Sequence, residues 1–175
     1  MNYADIKRCD VANGPGVRVS LFVSGCTHHC KECFNKETWD FEYGEPFTDE
    51  TISLILEYMK PDYIKGITLL GGEPMERQNQ KGLLPLLRML DAEYPSKDIW
   101  CFTGYDFEKD ILGIMMKGWE ETKEFISYID VLVDGEFMIE KKDLGLRFKG
   151  SSNQRTILVP ESLDSGHVVL WNPDE

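Results

Sequence analysis

The chain has 175 residues, a formal net charge of −12 and a pI near 4.7. That acidity disfavours nucleic acid as a partner, because phosphate backbones are held by clustered cations. No apolar run approaches the roughly 18 residues of a membrane span. The 42% hydrophobic and 29% charged content suits one globular domain over residues 1–175 with a core of its own.

Taken in chain order, the opening Met1 to Asp10 mixes Asp5, Lys7, Arg8 and Asp10 among apolar residues. That is neither a signal peptide nor an Arg-rich transit peptide, and it predicts a cytoplasmic location. A strand is expected over Val17 to Val23, followed by a polar loop carrying Cys26, Cys30 and Cys33. Thr48-Asp49-Glu50 reads as a helix start, and the spacing of Ile52, Ile55, Leu56 and Met59 continues that helix until Pro61. A strand at Ile64 to Leu70 runs into Gly71-Gly72-Glu73-Pro74, and Leu83 to Leu90 has helical spacing. The next strand, Ile99 to Thr103, meets Gly104, and Phe107 to Met116 again suggests a helix. Acidic runs such as Asp106 to Asp110 and Glu120 to Glu124 read as solvated helix faces. Strands at Ile129 to Val133 and Thr156 to Val159 follow, with a possible sixth at Val168 to Trp171. The two ends of the chain are less regular and predict nothing definite.

Strands alternating with helices predict an α/β fold with parallel strands and right-handed crossovers. Ser24-Gly25-Cys26, Gly71-Gly72-Glu73, Thr103-Gly104 and Asp134-Gly135 each follow an expected strand. In parallel sheets those carboxyl ends share one face, so the four breaks converge on one pocket.

Three of the five cysteines fall within eight residues, spaced C-x3-C-x2-C. A disulfide framework needs an even number and an oxidising compartment, so the cluster reads as metal binding. Soft thiolates suit iron–sulfur or zinc, and three close ligands leave one coordination position open. The zinc alternative, completed by His28, His29 or Cys9, stands beside the iron–sulfur reading. Isolated Cys9 and Cys101 read as structural, and the histidines, lone His167 included, as surface residues rather than ligands.

The cysteine spacing resembles that of the radical S-adenosylmethionine (SAM) superfamily. Asn13-Gly14-Pro15-Gly16-Val17-Arg18, Cys33-Phe34-Asn35 and Gly71-Gly72-Glu73-Pro74 are similar to segments of its glycyl-radical-enzyme activases. Trp100 to Tyr105, Asp130 to Gly135 and Gly150 to Arg155 resemble the activating proteins of anaerobic ribonucleoside-triphosphate reductases. The likeness runs from about Asn13 to Arg155.

The resemblance implies a partial (β/α) barrel of about five or six mostly parallel strands. It implies a 4Fe–4S cluster on Cys26, Cys30 and Cys33, with SAM bound at the free iron. It further implies glycyl-radical formation on the large subunit of the reductase, with an electron donor such as flavodoxin. Pyruvate formate-lyase or another glycyl radical enzyme is the competing partner, and a zinc-binding interaction module without catalysis is the competing class. Gly71, Gly72, Glu73 and Pro74 match the segment that holds the methionine part of SAM: glycines let a backbone approach closely, and a carboxylate accepts from an ammonium. Asp134 is a candidate for ribose hydroxyls or simply an Asp-Gly turn residue, and Thr103 is a candidate SAM contact. Asn153, Gln154 and Arg155 are read either as turn-building or as contacts with SAM or partner, and Arg18 as a surface arginine or the partner of an acid near the cluster. Glu32 stands where many superfamily members have an aromatic residue, and Phe34 is the substitute aromatic surface.

Overall fold

A computed structural model describes residues 1–174. Seven strands make one sheet: β1 (Asn2–Asp10), β2 (Val17–Val23), β3 (Glu45–Pro46), β4 (Ile64–Gly71), β5 (Asp98–Phe102), β6 (Val131–Asp134) and β7 (Arg155–Leu158), in the order β3-β1-β2-β4-β5-β6-β7. The helices are α1 (Asp49–Met59), α2 (Arg77–Glu93), a π-helix (Phe107–Met115) running into α3 (Met116–Gly118), α4 (Glu120–Ser127) and α5 (Val159–Ser165). Short 3-10 turns cover Lys36–Trp39 and Ile139–Lys141. None of the described helices is long and apolar enough to cross a membrane.

The middle of the sheet is parallel, with β2 beside β4, β4 beside β5 and β5 beside β6. Both flanks are antiparallel: β1 pairs with β2 and β3, and β7 with β6. The sheet is thus wider and less uniformly parallel than expected. β7 reverses direction because the connection from β6 holds only a short 3-10 turn and no crossover α-helix, so the chain returns along its neighbour. β1 escaped the sequence reading because its run Asp5-Ile6-Lys7-Arg8-Cys9-Asp10 is mostly polar, as suits a flanking strand that is largely exposed. The expected strand at Val168 to Trp171 is reduced to a bridge between Ile157 and Leu170, with backbone bonds from Leu158 N to Val169 O and from Trp171 N to Thr156 O.

Local sequence explains the elements that position the site. In α1 the Thr48 and Thr51 side chains cap each other's backbone N–H groups, and Ile52, Ile55, Leu56 and Met59 are buried as their spacing requires. α2 begins well before its apolar stripe. Its first turns bury Asn79 and Gln80 instead, whose amides donate to the carbonyls of Ser24, Glu73 and Met75. β4 is buried along nearly its whole length, as a parallel strand covered on both faces must be.

Period-two alternation divides β5 between two cores. Ile99 and Cys101 join the large core under the helices, with Leu21, Ile55, Ile67, Leu87 and Phe125. Trp100 faces the other way, into a smaller core with Val131 and Val133. Phe148 and Trp171 close that second face, edge-on to Trp100 at 5.7 and 5.2 Å between ring centroids.

Register puts Asp10 opposite Arg18, so Cys9 and Arg18 lie by the amino end of β2 whereas Cys26 follows its carboxyl end. Arg18 is fully buried and pairs with Asp98 at 2.6 Å, donating also to Thr68 Oγ1 and the Ile67 carbonyl. It is neither a surface arginine nor the partner of an acid beside the cysteines.

Candidate metal centre

The carboxyl ends of β2, β4, β5 and β6 open on one cavity, and Cys26, Cys30 and Cys33 all line it. Cys26 is buried and the other two are half-buried. The loop is pinned from below, where Gly25 N donates to Thr38 O and Cys26 N to Trp39 O. It then winds tightly. Cys33 N donates to Cys30 O, and His29 and Glu32 adopt left-handed backbone with φ of 52° and 59°. Non-glycine residues there cost on the order of 1 kcal/mol each, which the packing must overcome; the His29 ring stacks on Trp39 at 4.4 Å.

Burial pushes the Cys26 thiol up to about 11, and burial with the neighbouring Glu136 carboxylate pushes Cys30 up to about 12. Free of metal, these thiols hold their protons, and binding iron must release them. Cys9 lies at the opposite end of the strands and Cys101 is sealed in the core, so among the described residues three cysteines, not four, serve this cavity. That donor set fits a cluster with one iron free of cysteine. Cys9 is also removed from the zinc alternative.

Glu73, only 1% exposed, organises the surroundings. Its carboxylate accepts from Met75 N (2.8 Å), Thr103 Oγ1 (2.8 Å), Gly104 N (2.7 Å) and His28 Nε2 (2.9 Å). A carboxylate has about four acceptor positions, so these donors fill it. An ammonium joining Glu73 must share an oxygen with His28 or displace it. Burial alone would lower the His28 pKa, but the Glu73 hydrogen bond and charge outweigh it and hold it above its ordinary value.

Gly71 and Gly72 line the cavity with backbone alone. Their lack of side chains serves the fold as well as any ligand: a Cβ on Gly71, where φ is +106°, would fall 2.7 Å from Phe22 Cα, and one on Gly72 would fall 2.6 Å from the Gly25 carbonyl. Thr103 also lines the cavity and Phe34 stands at its mouth, 85% exposed. Pro74 is buried in the turn behind the cavity.

Asp134 is 1% exposed and does not line the cavity. Its carboxylate accepts from Phe107 N at 2.9 Å and from Arg155 Nε and Nη2 at 3.0 and 2.5 Å. Arg155 also grips Glu108 at 2.6 Å, so the acidic group of Asp106, Glu108 and Asp134 is already served by a cation. The segment before it builds the cavity wall. Gln154 accepts from Gly150 N and Ser151 N and donates to Gly135 O, while Asn153 donates to Glu136 O.

Sequence reasoning passed over several residues placed here. Glu76 accepts from Thr27 N and Oγ1, Asn79 binds the carbonyls beneath the loop, and Glu136 meets Cys30. His28 had a signal in its position between Cys26 and Cys30; Glu136, from a loop 106 residues away in sequence, had none.

A family model described as a 4Fe-4S single cluster domain matches residues 12–157. Proteins named anaerobic ribonucleoside-triphosphate reductase-activating protein align over most of the chain. That of Vibrio cholerae is 43% identical over 157 residues, covering 88% of this chain and 96% of its own. That of Escherichia coli is 42% identical over 156 residues, covering 88% and 96%. The chain belongs to this activating-protein family. The Pasteurella multocida member agrees, at 41% over 156 residues, with 88% and 95% covered. The family-model match spans the cysteine loop, the Glu73 network and Asp134 to Arg155, so the cavity lies within the 4Fe–4S domain of an activating protein.

Proposed function

We propose that the chain is a radical SAM activase that generates the glycyl radical of the anaerobic ribonucleoside-triphosphate reductase, and that Cys26, Cys30 and Cys33 hold its cluster. The observation that carries this reading is the meeting of these thiols with the bare backbone of Gly71 and Gly72 in one cavity. When bound, the reduced cluster and SAM supply a one-electron cleavage to methionine and a 5′-deoxyadenosyl radical, which removes a hydrogen atom from a glycine of the reductase.

The chain's own residues orient and enclose. The Gly71–Gly72 backbone takes the amino-acid end of SAM, with Glu73 holding the Cys26–Cys33 loop against Thr103 and Gly104 through His28. Phe34 offers an exposed ring for adenine. Asp134 acts from behind the wall by fixing Arg155 and the first residue of the π-helix. In this reading residues 1–175 form a single cytoplasmic domain of partial-barrel type, the reductase large subunit is the protein substrate, and a flavodoxin-like donor supplies the electron.

Anaerobic reconstitution with iron and sulfide, followed by SAM, dithionite and the reductase, tests it. The expected results are about four iron and four sulfide per chain, 5′-deoxyadenosine, and a glycyl radical by electron paramagnetic resonance. Zinc without sulfide and no 5′-deoxyadenosine would overturn the reading. A radical on pyruvate formate-lyase alone would reassign the partner.

A further inference from the structure

Cys30 has a charged neighbour from a distant part of the chain. Its Sγ lies 3.4 Å from Oε1 of Glu136, the second residue after β6. The Glu136 side chain is exposed, but its backbone is not free to drift. Gly135 N donates to Tyr105 O, and the Glu136 carbonyl accepts from Asn153 Nδ2 at 2.8 Å. The next residue, Phe137, presents its backbone N–H to the same sulfur.

In the metal-free protein the Cys30 thiol donates to this carboxylate. As a cluster ligand it is a thiolate with no proton to donate, and the carboxylate becomes a negative charge in contact with a negative sulfur. Charge near an iron–sulfur cluster and hydrogen bonds to its sulfurs set its reduction potential. At this separation the interaction is well inside the Debye length of about 8 Å at physiological salt, so salt screens it only partly.

We propose that Glu136 sets the reduction potential of the cluster, holding it low by placing a carboxylate against the Cys30 sulfur. The inference rests on the reading that Cys30 ligates a 4Fe–4S cluster. The affected step is the one-electron reduction of the cluster from its 2+ to its 1+ state, the electron coming from the donor. A carboxylate disfavours arrival of that electron, so the reduced cluster is a stronger reductant, as scission of a sulfonium C–S bond demands. The Phe137 N–H pulls the other way, and because it is backbone it persists in every side-chain variant. Glu136 is therefore the adjustable member of the pair.

The test is potentiometric titration of the anaerobically reconstituted full chain, without SAM, at fixed pH and salt, following the 1+ cluster by electron paramagnetic resonance. Iron and sulfide content is measured for each sample. Glu136→Gln keeps size and shape and removes the charge; it should move the midpoint to higher potential, and Glu136→Lys should move it further. Glu140→Gln, which neutralises an exposed carboxylate four residues along, should move it much less. An unchanged midpoint in cluster-loaded Glu136→Gln, or an equal shift in Glu140→Gln, overturns the inference. If the unaltered chain assembles no cluster, the ligand reading fails first, and the iron and sulfide contents separate the two failures.

Discussion

Arg18 and Glu73, buried charged side chains at opposite ends of the parallel strands, are used differently. At the amino ends, Arg18 is 0% exposed and is met by the Asp98 carboxylate, the Thr68 hydroxyl and the Ile67 carbonyl. Those partners all belong to the sheet, with Thr68 and Ile67 on β4 and Asp98 opening β5. At the carboxyl ends, Glu73 is met by donors from the cysteine loop, from its own turn and from the end of β5, around an open cavity. A buried charge bound to rigid partners only holds the sheet together. One bound to loops arranges a site, because each donor fixes a segment that the sheet leaves free.

Breaking the cavity end at its thiols has the largest expected effect. Cys30→Ala should lose the cluster, seen in iron and sulfide content, and with it all SAM cleavage, while circular dichroism stays that of the parent. A variant that retained both cluster and cleavage would remove Cys30 from the ligands.

Breaking the other end should cost stability and leave chemistry intact. Arg18→Met strands a carboxylate, and loss of one partner of a buried pair costs about 3–5 kcal/mol. Asp98 is partly exposed, at 27%, so the lower figure is expected in urea unfolding, with cluster content per folded chain unchanged. Equal loss of cluster content would mean that the ends are not independent.

Glu73→Gln sharpens the contrast, since it should do both things moderately. The amide keeps the size but turns one acceptor oxygen into a donor facing other donors, for about 2 kcal/mol of stability. SAM binding, followed by calorimetry on the loaded protein, should weaken as the cysteine loop loses its tie. Full stability with weakened binding would assign Glu73 to the ligand alone.

The smallest effect is a pH response of opposite sign at the two ends of the metal-free chain. His28 has a pKa raised above 6.5, burial being outweighed by the Glu73 hydrogen bond and charge. Its contribution is therefore complete below 6.5 and fades as pH rises through the folded value. Asp10, at the amino end, has a pKa lowered below 3.8: burial opposes, but hydrogen bonds from Ser20, Ala12 and Asn13 prevail. Its contribution is present above 3.8 and is lost as pH falls through the folded value. Amide exchange should therefore quicken around the cysteine loop on the alkaline side and around Ala12 and Ser20 on the acid side. His28→Asn and Asp10→Asn should each flatten one response only.

Much of this architecture was legible in the sequence wherever one local rule ruled. β2 matched its expected span and β4 overran it by a single residue, because short runs rich in β-branched and apolar residues between glycine-containing turns have few alternatives. α1 is capped by Thr48 as expected, because capping is a matter of neighbours. β1 and the early turns of α2 were illegible, since the polar residues of β1 are mostly exposed and Asn79 and Gln80 find their partners in loop carbonyls that no local pattern announces. Of the site, the three cysteines, Gly71, Gly72, Glu73 and Thr103 converge on the cavity as their places after strands required. Asp134 occupied an equivalent place yet is turned into an ion pair, because Arg155, next to it across β7, satisfies it first.

By itself the sequence determined which three thiols share one loop and the end of the strands at which they fall. Thiol spacing within one loop and the strand-then-glycine rhythm are short-range properties that any fold must respect. Only the tertiary structure decided which charges meet: Glu136 against Cys30, Glu73 among four donors, Arg18 far from the cysteines. Contacts between residues distant in the chain follow from strand order and register, and those are settled by how the whole core packs rather than by any one segment.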